Sequence, residues 1–289
     1  MKKEIDNKFE SYTYIDNKRR LIPRMKWTLK LYLSRWVYQL WSYGCLHKQA
    51  VEKQLSKKSR LSGYEIKKFS VYEEEKIKQR IQRLGNNILD CEFDKTVKDL
   101  IVSIVKEDDS VKSVVDVGVR SATYLYSIAN DYKNINFYGI SFAENISKLY
   151  SVYEAENVDF YSGYALDFLK ESQGFDVVIF DQTATTIQPL EFTEYLNIVK
   201  NKTRYLIINE PIYNTWTGKA IDPLGIPIDH PVVAREFSHC LVYNYKKLVE
   251  KAGFEVVFYR CRPEDKTLSN RREYGIPVHV LSLIAIASF

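Results

Sequence analysis

Short runs of β-branched and aromatic residues alternate with stretches of helical periodicity from residue 111 to the end of the chain. The runs that predict strands are residues 111–117, 135–140, 158–161, 175–180, 204–209, 254–259 and 279–288. Helical stretches at 121–132, 144–156, 165–172 and 190–202 separate the first five of them. This alternation predicts a parallel sheet with helices on both faces. The last two strands have no helix between them, so we expect one of them to run antiparallel to the rest.

The first third of the chain has a helical pattern instead. Its most regular helix carries one apolar stripe, formed by Leu29, Leu33, Trp36 and Leu40. Further helices are predicted over 64–90 and 94–106, the second with Asp94 as its N-cap. We therefore divide the chain into a basic helical N-terminal extension, residues 1–92, and a sheet domain, residues 93–289.

Charge is distributed unevenly along the chain. Residues 1–63 hold 15 Lys and Arg and 5 Asp and Glu, a local net charge of +10 in a chain whose total is +5. The other 226 residues therefore carry −5. A basic segment attracts anionic surfaces, which are membrane headgroups or nucleic-acid phosphates. Three tryptophans in this segment, Trp27, Trp36 and Trp41, favour the membrane surface over nucleic acid as its partner.

Apolar runs in the sequence are too short to cross a membrane. The longest uncharged ones, residues 36–46 and 276–289, fall well below the ~20 residues that a spanning helix requires. The amino terminus is too polar and acidic for a signal peptide. Four dispersed cysteines predict neither a zinc site nor a disulfide framework. We therefore expect a cytoplasmic protein that associates peripherally with the membrane through its extension.

The segment SVVDVGVRSATYL, residues 113–125, carries the most specific signal. An apolar strand ends in Asp116 and Gly118, and small residues around Ser121 then open a helix. Gly118 would allow the backbone to approach a ligand, and the N–H groups at the helix start would face it. This turn resembles the first motif of the class I S-adenosylmethionine-dependent methyltransferases, acid-x-Gly-x-Gly-x-Gly.

The resemblance covers roughly residues 94–289 and includes Gly253 before the sixth strand. It implies a methyltransferase that uses S-adenosyl-L-methionine. It also implies a Rossmann-like, mostly parallel seven-stranded sheet with an antiparallel last strand, here preceded by the helical extension.

Several cofactor contacts of the family are altered in this sequence. Arg120 and Ala122 stand where the second and third family glycines are expected. Arg120 can pair with the methionine carboxylate or with a different anionic ligand. After the second strand, Ser141 and Phe142 replace the acid that holds the ribose hydroxyls, and Ser141 can still hydrogen-bond there.

The third strand is followed in the family by Gly-Asp-Ala, whose acid meets the adenine amine. Here the sequence is Gly163-Tyr164-Ala165. Tyr164 can stack on adenine instead of bonding its amine. The resemblance places Asp181 and Gln182, at the end of the fourth strand, near both cofactor and acceptor. With Asn209 and Glu210, Asp181 can also form an oxygen-rich magnesium site, although acids at strand ends are common helix caps.

Two histidines are candidates for the general base that takes the proton of an acceptor hydroxyl. His239 would start the helix predicted over residues 240–252, and His230 lies in the long proline-containing segment 212–238. The plainer alternatives are that His239 caps the helix and that His230 is solvated.

Three functions remain open from the sequence. The first is O-methylation of a small molecule, or of a glycan or lipid-linked sugar at the cytoplasmic face of the membrane, as in polysaccharide biosynthesis. The second is an RNA methyltransferase or nucleic-acid-binding protein. The third is a catalytically silent scaffold, which the altered Arg120, Ser141 and Tyr164 would suit.

Overall fold

The computed structural model describes residues 63–84, 92–119, 122–213, 224, 232–234, 240–263 and 278–287. Its α-helices are α1 (Gly63–Leu84), α2 (Glu92–Glu107), α3 (Thr123–Ala129), α4 (Ile146–Tyr150), α5 (Ala165–Glu171), α6 (Pro189–Lys200) and α7 (Tyr245–Lys251). Its strands are β1 (Ser113–Val117), β2 (Asn136–Ser141), β3 (Val158–Ser162), β4 (Phe175–Asp181), β5 (Thr203–Tyr213), β6 (Val232–Ala234), β7 (Cys240–Val242), β8 (Phe254–Pro263) and β9 (Val278–Ala287).

Seven strands form one sheet in the order β3-β2-β1-β4-β5-β9-β8. The five strands from β3 to β5 pair in parallel. The last strand, β9, enters between β5 and β8 and is antiparallel to both. The Rossmann-like, mostly parallel sheet with an antiparallel last strand is therefore confirmed.

Helices cover both faces of this sheet, as the alternation predicts. Along β1, Val115 and Val117 point into a cluster with side chains of α5, α6 and α7. Val114 points the other way, into a cluster with side chains of α1, α2, α3 and α4. Residues on alternate sides of each strand thus build two apolar cores.

Helix α1 is attached to the sheet domain. Ile77 is fully buried in the cluster that contains α2 and α3. Ser70 Oγ accepts a hydrogen bond from the backbone N–H of Glu144 at 3.0 Å. Glu74 Oε1 accepts from the backbone and side-chain nitrogens of Asn145 at 3.1 and 2.9 Å. None of the described helices is both long and apolar enough to cross a membrane.

Two local predictions were wrong. Asp94 is not an N-cap, because α2 already begins at Glu92, and the buried Asp94 carboxylate accepts a hydrogen bond from Thr123 Oγ1 at 3.4 Å. The helix predicted over residues 240–252 begins only at Tyr245, since β7 pairs with β6 as a short antiparallel hairpin. Asn244, a favourable N-cap, accepts from Lys247 N at 3.2 Å and sets the start of the helix.

Candidate functional site

The carboxyl ends of β1 and β4 meet at the centre of the sheet. From β1 the chain crosses to β2 on one side, whereas β4 starts the other half. In open α/β sheets this reversal of direction leaves a crevice that commonly binds ligands. Gly118 follows β1 there and Thr183 follows β4, and Thr183 Oγ1 donates to the Gly118 carbonyl at 3.3 Å.

Gly118 has a positive φ of 78°, which non-glycine residues rarely adopt. A Cβ at this position would also lie 2.5 Å from Thr183 Cγ2. The glycine therefore makes room for a protein side chain, a reason that the sequence did not reveal. Arg120 and Ser121, which follow it, lie outside the described residues, so their proposed contacts stay predictions.

Asp116 is a buried acid at the end of β1. Its side chain is 2% exposed, and its Oδ1 has no hydrogen-bond partner among the described residues. Burial raises the pKa of this carboxyl well above its usual value, and Asp181 and Asp94 raise it further, while the Tyr124 hydroxyl opposes the rise. An unpaired buried acceptor of this kind is uncommon outside functional sites.

Asp181 ends β4 and is 9% exposed. Its Oδ1 accepts a hydrogen bond from Asn209 Nδ2 at 2.7 Å, and Asn209 Oδ1 in turn accepts from Ser282 Oγ at 2.9 Å. The next residue, Gln182, has a φ of 54°, and its N–H donates to the Asn209 carbonyl at 2.9 Å. Such a left-handed conformation in a non-glycine residue stores strain, and strained residues cluster at functional sites.

Glu210 is fully buried beside this turn. Its Oε1 accepts from the backbone nitrogens of Thr183 and Ala184 at 2.9 and 2.7 Å. Its Oε2 has no partner among the described residues. Burial raises the pKa of Glu210 well above its usual value, and the neighbouring Asp181 adds to the rise. Glu210 thus holds the turn after β4, a role that sequence reasoning missed.

The magnesium hypothesis gains no support from this geometry. Asp181 and Asn209 bond to each other, and Glu210 bonds to backbone N–H groups. Within the described part of the chain, no group of three or more His, Cys, Asp or Glu side chains is placed to hold a metal ion.

A second group of predicted residues lies at the ends of β2 and β3. Ser141 Oγ accepts from the backbone N–H of Ala143 at 3.2 Å, which leaves the hydroxyl proton of Ser141 to donate. The rings of Phe142 and Tyr164 are 5.8 Å apart and inclined at 48°. Ala165 then opens α5. These residues share one edge with Asp116 and Asp181, since β3, β2, β1 and β4 are neighbours in parallel.

Glu191 is a further member of this corner that the sequence did not indicate. It lies in the first turn of α6 and accepts a hydrogen bond from the Tyr164 hydroxyl. Only the fold brings the two residues together, because they are 27 positions apart in the chain. A carboxylate therefore stands next to the position where Tyr164 replaces the acid of the family motif.

Both histidines proposed as bases, His230 and His239, lie outside the described residues. The helix predicted to follow His239 begins only at Tyr245, because Cys240–Val242 form a strand.

The residues present are compatible with the cofactor that the resemblance in the sequence implies. An orphaned acceptor on Asp116, a hydroxyl donor on Ser141 and the aromatic pair Phe142–Tyr164 lie along the same edge of the sheet. They match a ligand with hydrogen-bond donors, hydroxyls and an aromatic base. Next to Gly118, the Thr183 side chain limits how closely such a ligand can approach.

Comparisons with known proteins give distant similarities in structure. No protein-family model and no curated protein matches the sequence. A candidate sarcosine dimethylglycine methyltransferase from Galdieria sulphuraria has 12% identity and a TM-score of 0.47, over 67% of this chain and 86% of that one. The magnesium protoporphyrin IX methyltransferase of Synechocystis, with bound SAH, has 11% identity and a TM-score of 0.43, over 87% and 99%. The fold class itself follows from the strand order and directions described above.

Proposed function

We propose that the protein is an S-adenosyl-L-methionine-dependent methyltransferase. The observation that carries the proposal is the gathering of the motif residues at one sheet edge. Asp116 lies near the end of β1 and Gly118 follows it, Ser141 ends β2, Tyr164 follows β3 and Asp181 ends β4. Their positions along the chain are far apart, and the parallel sheet brings them to the edge at which open α/β sheets bind ligands.

The roles of these residues in cofactor binding follow from their chemistry. Ser141 donates to a ribose hydroxyl, the Phe142–Tyr164 pair flanks the adenine, and Arg120 pairs with the methionine carboxylate. Asp116 supplies a buried acceptor at the turn around Gly118. When bound, the cofactor supplies an electrophilic methyl group on a sulfonium.

The chain must then hold an acceptor oxygen in line and take its proton. Asp181 is the described candidate for this contact, and His239 and His230 are the other two. Replacing a histidine base by alanine should lower turnover by roughly 10²–10⁴ while cofactor affinity is preserved, whereas Asp181 also contacts the cofactor and its replacement should lower both.

For the acceptor, we propose a small molecule, a glycan or a lipid-linked sugar at the cytoplasmic membrane face. The support is the basic, tryptophan-containing extension, with a net charge of +10 over residues 1–63. Each Lys or Arg near an anionic leaflet contributes about 1 kcal/mol. The same charge would also attract RNA, which remains the second candidate partner.

A catalytically silent scaffold is the alternative that one observation favours. The Thr183 side chain occupies the space next to Gly118, where the family motif leaves the backbone open. A scaffold of this kind would bind neither the cofactor nor its demethylated product.

Titration calorimetry of the full chain tests the proposal. We expect saturable heat with S-adenosylmethionine and with S-adenosylhomocysteine, and none with NAD, which is the control because Rossmann-like folds also bind dinucleotides. Absence of heat at millimolar cofactor would remove the methyltransferase proposal and favour the scaffold.

The partner of the extension is tested separately. Co-sedimentation with phosphatidylserine vesicles should exceed that with phosphatidylcholine vesicles, and a tRNA gel shift should be weak. Charge reversal by glutamate at Lys18, Arg19 and Arg20 should abolish the vesicle binding. The same reversal at three exposed lysines of the sheet domain is the matched control and should not: Lys106, Lys133 and Lys247. A strong gel shift with no vesicle binding would replace the membrane by RNA.

A further inference from the structure

A row of polar side chains crosses the sheet behind Asp181. Asp181, Asn209 and Ser282 stand opposite one another in the register of β4, β5 and β9. Two positions away in the same register, on the same face, stand Ile179, Ile207 and Ile284, all fully buried. The polar row therefore replaces aliphatic residues towards the carboxyl ends of the parallel strands β4 and β5.

The two hydrogen bonds of the row point in one direction. Ser282 Oγ donates to Asn209 Oδ1 at 2.9 Å, and Asn209 Nδ2 donates to Asp181 Oδ1 at 2.7 Å. Asn209 is 0% and Ser282 3% exposed, whereas Asp181 is 9% exposed. The hydrogen bonds thus run from Ser282 through Asn209 to the Asp181 carboxylate. Asp181 is also the most exposed residue of the row.

Stability alone does not account for such a row. Burying three polar side chains costs free energy that three aliphatic ones would not, even when the hydrogen bonds are made. Gln182 follows Asp181 and has a left-handed backbone conformation. Its N–H donates a hydrogen bond to the Asn209 carbonyl at 2.9 Å. Asn209 therefore fixes both the side chain of Asp181 and the turn that follows it.

We propose that Asn209 and Ser282 are positioning residues that fix Oδ1 of Asp181, so that its Oδ2 accepts a hydrogen bond from the ligand at the carboxyl edge. Oδ2 lies on the side of Gln182, whose Nε2 is 3.5 Å away. A carboxylate oxygen accepts more than one hydrogen bond, so this contact leaves capacity for a ligand hydroxyl or ammonium group. The inference rests on the proposed function, in which Asp181 touches the bound ligand.

Cofactor affinity of the full chain, measured by calorimetry with S-adenosylmethionine and S-adenosylhomocysteine, tests the inference without an acceptor. Asp181→Asn and Asn209→Ala should each weaken binding about tenfold, the effect of losing one charge-assisted hydrogen bond. Ser282→Ala should weaken it about threefold, because Asn209 then keeps its bond to Asp181 but loses its own support. Ser282→Thr, which retains the hydroxyl, should restore the wild-type value.

Asn157→Ala is the matched control for loss of a hydrogen-bonded asparagine amide. Asn157 Nδ2 donates to the carbonyls of Tyr132 and Ile135 at 3.0 and 2.8 Å, just before β3 and thus at the opposite edge of the sheet. Its loss should lower the melting temperature as much as Asn209→Ala does, with unchanged cofactor affinity. Equal loss of affinity in both variants would reduce Asn209 to a structural residue.

Asn209→Asp gives a signature that a structural role would not produce. The repulsion between two carboxylates at this distance raises the pKa of one of them, so at low pH one shared proton replaces the amide hydrogen bond. At higher pH the proton leaves and the two charges repel each other. Cofactor affinity of this variant should therefore fall more steeply than that of the wild type as pH rises from 6 to 9.

The outcomes distinguish the proposed function from the positioning role of Asn209 and Ser282. If Asp181→Asn weakens binding while Asn209→Ala and Ser282→Ala leave it unchanged, the positioning role is overturned and the proposed function stands. If the wild type binds neither compound, the proposed function is overturned and the positioning role falls with it. Should Asn209→Ala fail to fold, the Ser282→Ala and Ser282→Thr pair decides.

Discussion

The carboxylates at the two edges of the sheet differ in their hydrogen-bond and ion-pair partners. At the amino edge, Arg204 pairs with Asp108 and, at 3.1 Å, with Asp176. Asp176 Oδ2 also accepts the backbone N–H of Lys112 at 2.8 Å. At the carboxyl edge, Asp116 and Glu210 are buried, and each keeps one oxygen without a partner among the described residues.

The pKa values follow this division. A hydrogen bond from Ser110 lowers the pKa of Asp108 to about 2, with further help from Arg204 and Tyr205 against the effect of burial. Burial raises the pKa values of Asp116 and Glu210. Ionisation of Asp108 thus stabilises the fold, whereas ionisation of Asp116 or Glu210 would destabilise it, as expected where a site must receive a ligand.

The largest effect should come from exchanging one glycine at each edge. Gly118→Val places a side chain at a φ of 78° and against Thr183, so we expect cofactor affinity to fall on the order of 100-fold, with a lower melting temperature. Calorimetry and thermal unfolding measure the two effects.

Gly174→Val is the matched change at the amino edge. Gly174 precedes β4 with a φ of 117°, and a Cβ there would press on the Lys202 carbonyl. This variant should lose as much stability but keep its cofactor affinity. If it also stopped binding, the functional contrast between the edges would be lost.

Glu210 should give the next largest effect. Glu210→Ala leaves the buried N–H groups of Thr183 and Ala184 without an acceptor and should cost about 2–4 kcal/mol of unfolding free energy. Glu210→Gln keeps an oxygen for both groups and removes the titration.

The pH dependence sharpens this test. An acid whose pKa is raised by folding loses stability as pH rises towards that pKa. Glu210→Gln should therefore gain on the wild type in melting temperature between pH 5 and 8. A constant difference across that range would mean that Glu210 is charged in the fold.

The architecture is predictable from the sequence because it depends on local periodicity. Runs such as residues 175–180 alternate with helical stretches, and the missing helix before β9 signals its reversed direction. By contrast, β6 and β7 have three residues each, too few for a periodic pattern. The helix predicted from the sequence therefore included the residues of β7, with His239 at its start.

The contacts of the candidate site are less predictable because they join distant parts of the chain. The sequence identifies Asp116, Gly118 and Asp181, since these residues lie at or just after the ends of strands. The bond between Ser282 and Asn209 spans 73 positions, and the side chain that faces Gly118 comes from the turn after another strand. No local pattern encodes such pairs, and they become visible only when the strand register is known.

Arg204→Met should have a smaller effect, at the amino edge. The guanidinium is 36% exposed and its partners Asp108 and Asp176 are 18% and 22% exposed, so solvent screens the pairs in part. We expect a loss of about 1–2 kcal/mol in unfolding free energy, more than for a fully exposed pair because two half-buried carboxylates lose their partner. The loss should shrink in 0.5 M salt, and cofactor affinity should not change. A loss insensitive to salt would point to packing of the side chain instead.

The smallest effect should appear in the acid limb of the stability curve. Folding lowers the pKa of Asp108 to about 2 from the usual 3.8, so its contribution is complete above pH 4 and is lost as pH falls from 4 to 2. Asp116 and Glu210, with raised pKa values, are protonated in the folded chain in that range, and below about pH 3 also in the unfolded chain, so at the acid end they contribute no slope. Asp108→Asn should therefore reduce the fall in melting temperature between pH 4 and 2, by the equivalent of less than about 1 kcal/mol after screening.

Glu210→Gln should leave this acid limb unchanged and alter the dependence of the melting temperature on pH only above pH 5. Thermal unfolding of the three chains from pH 2 to 9 measures both limbs, and a flattened acid limb in Glu210→Gln would show that the two edges do not titrate independently.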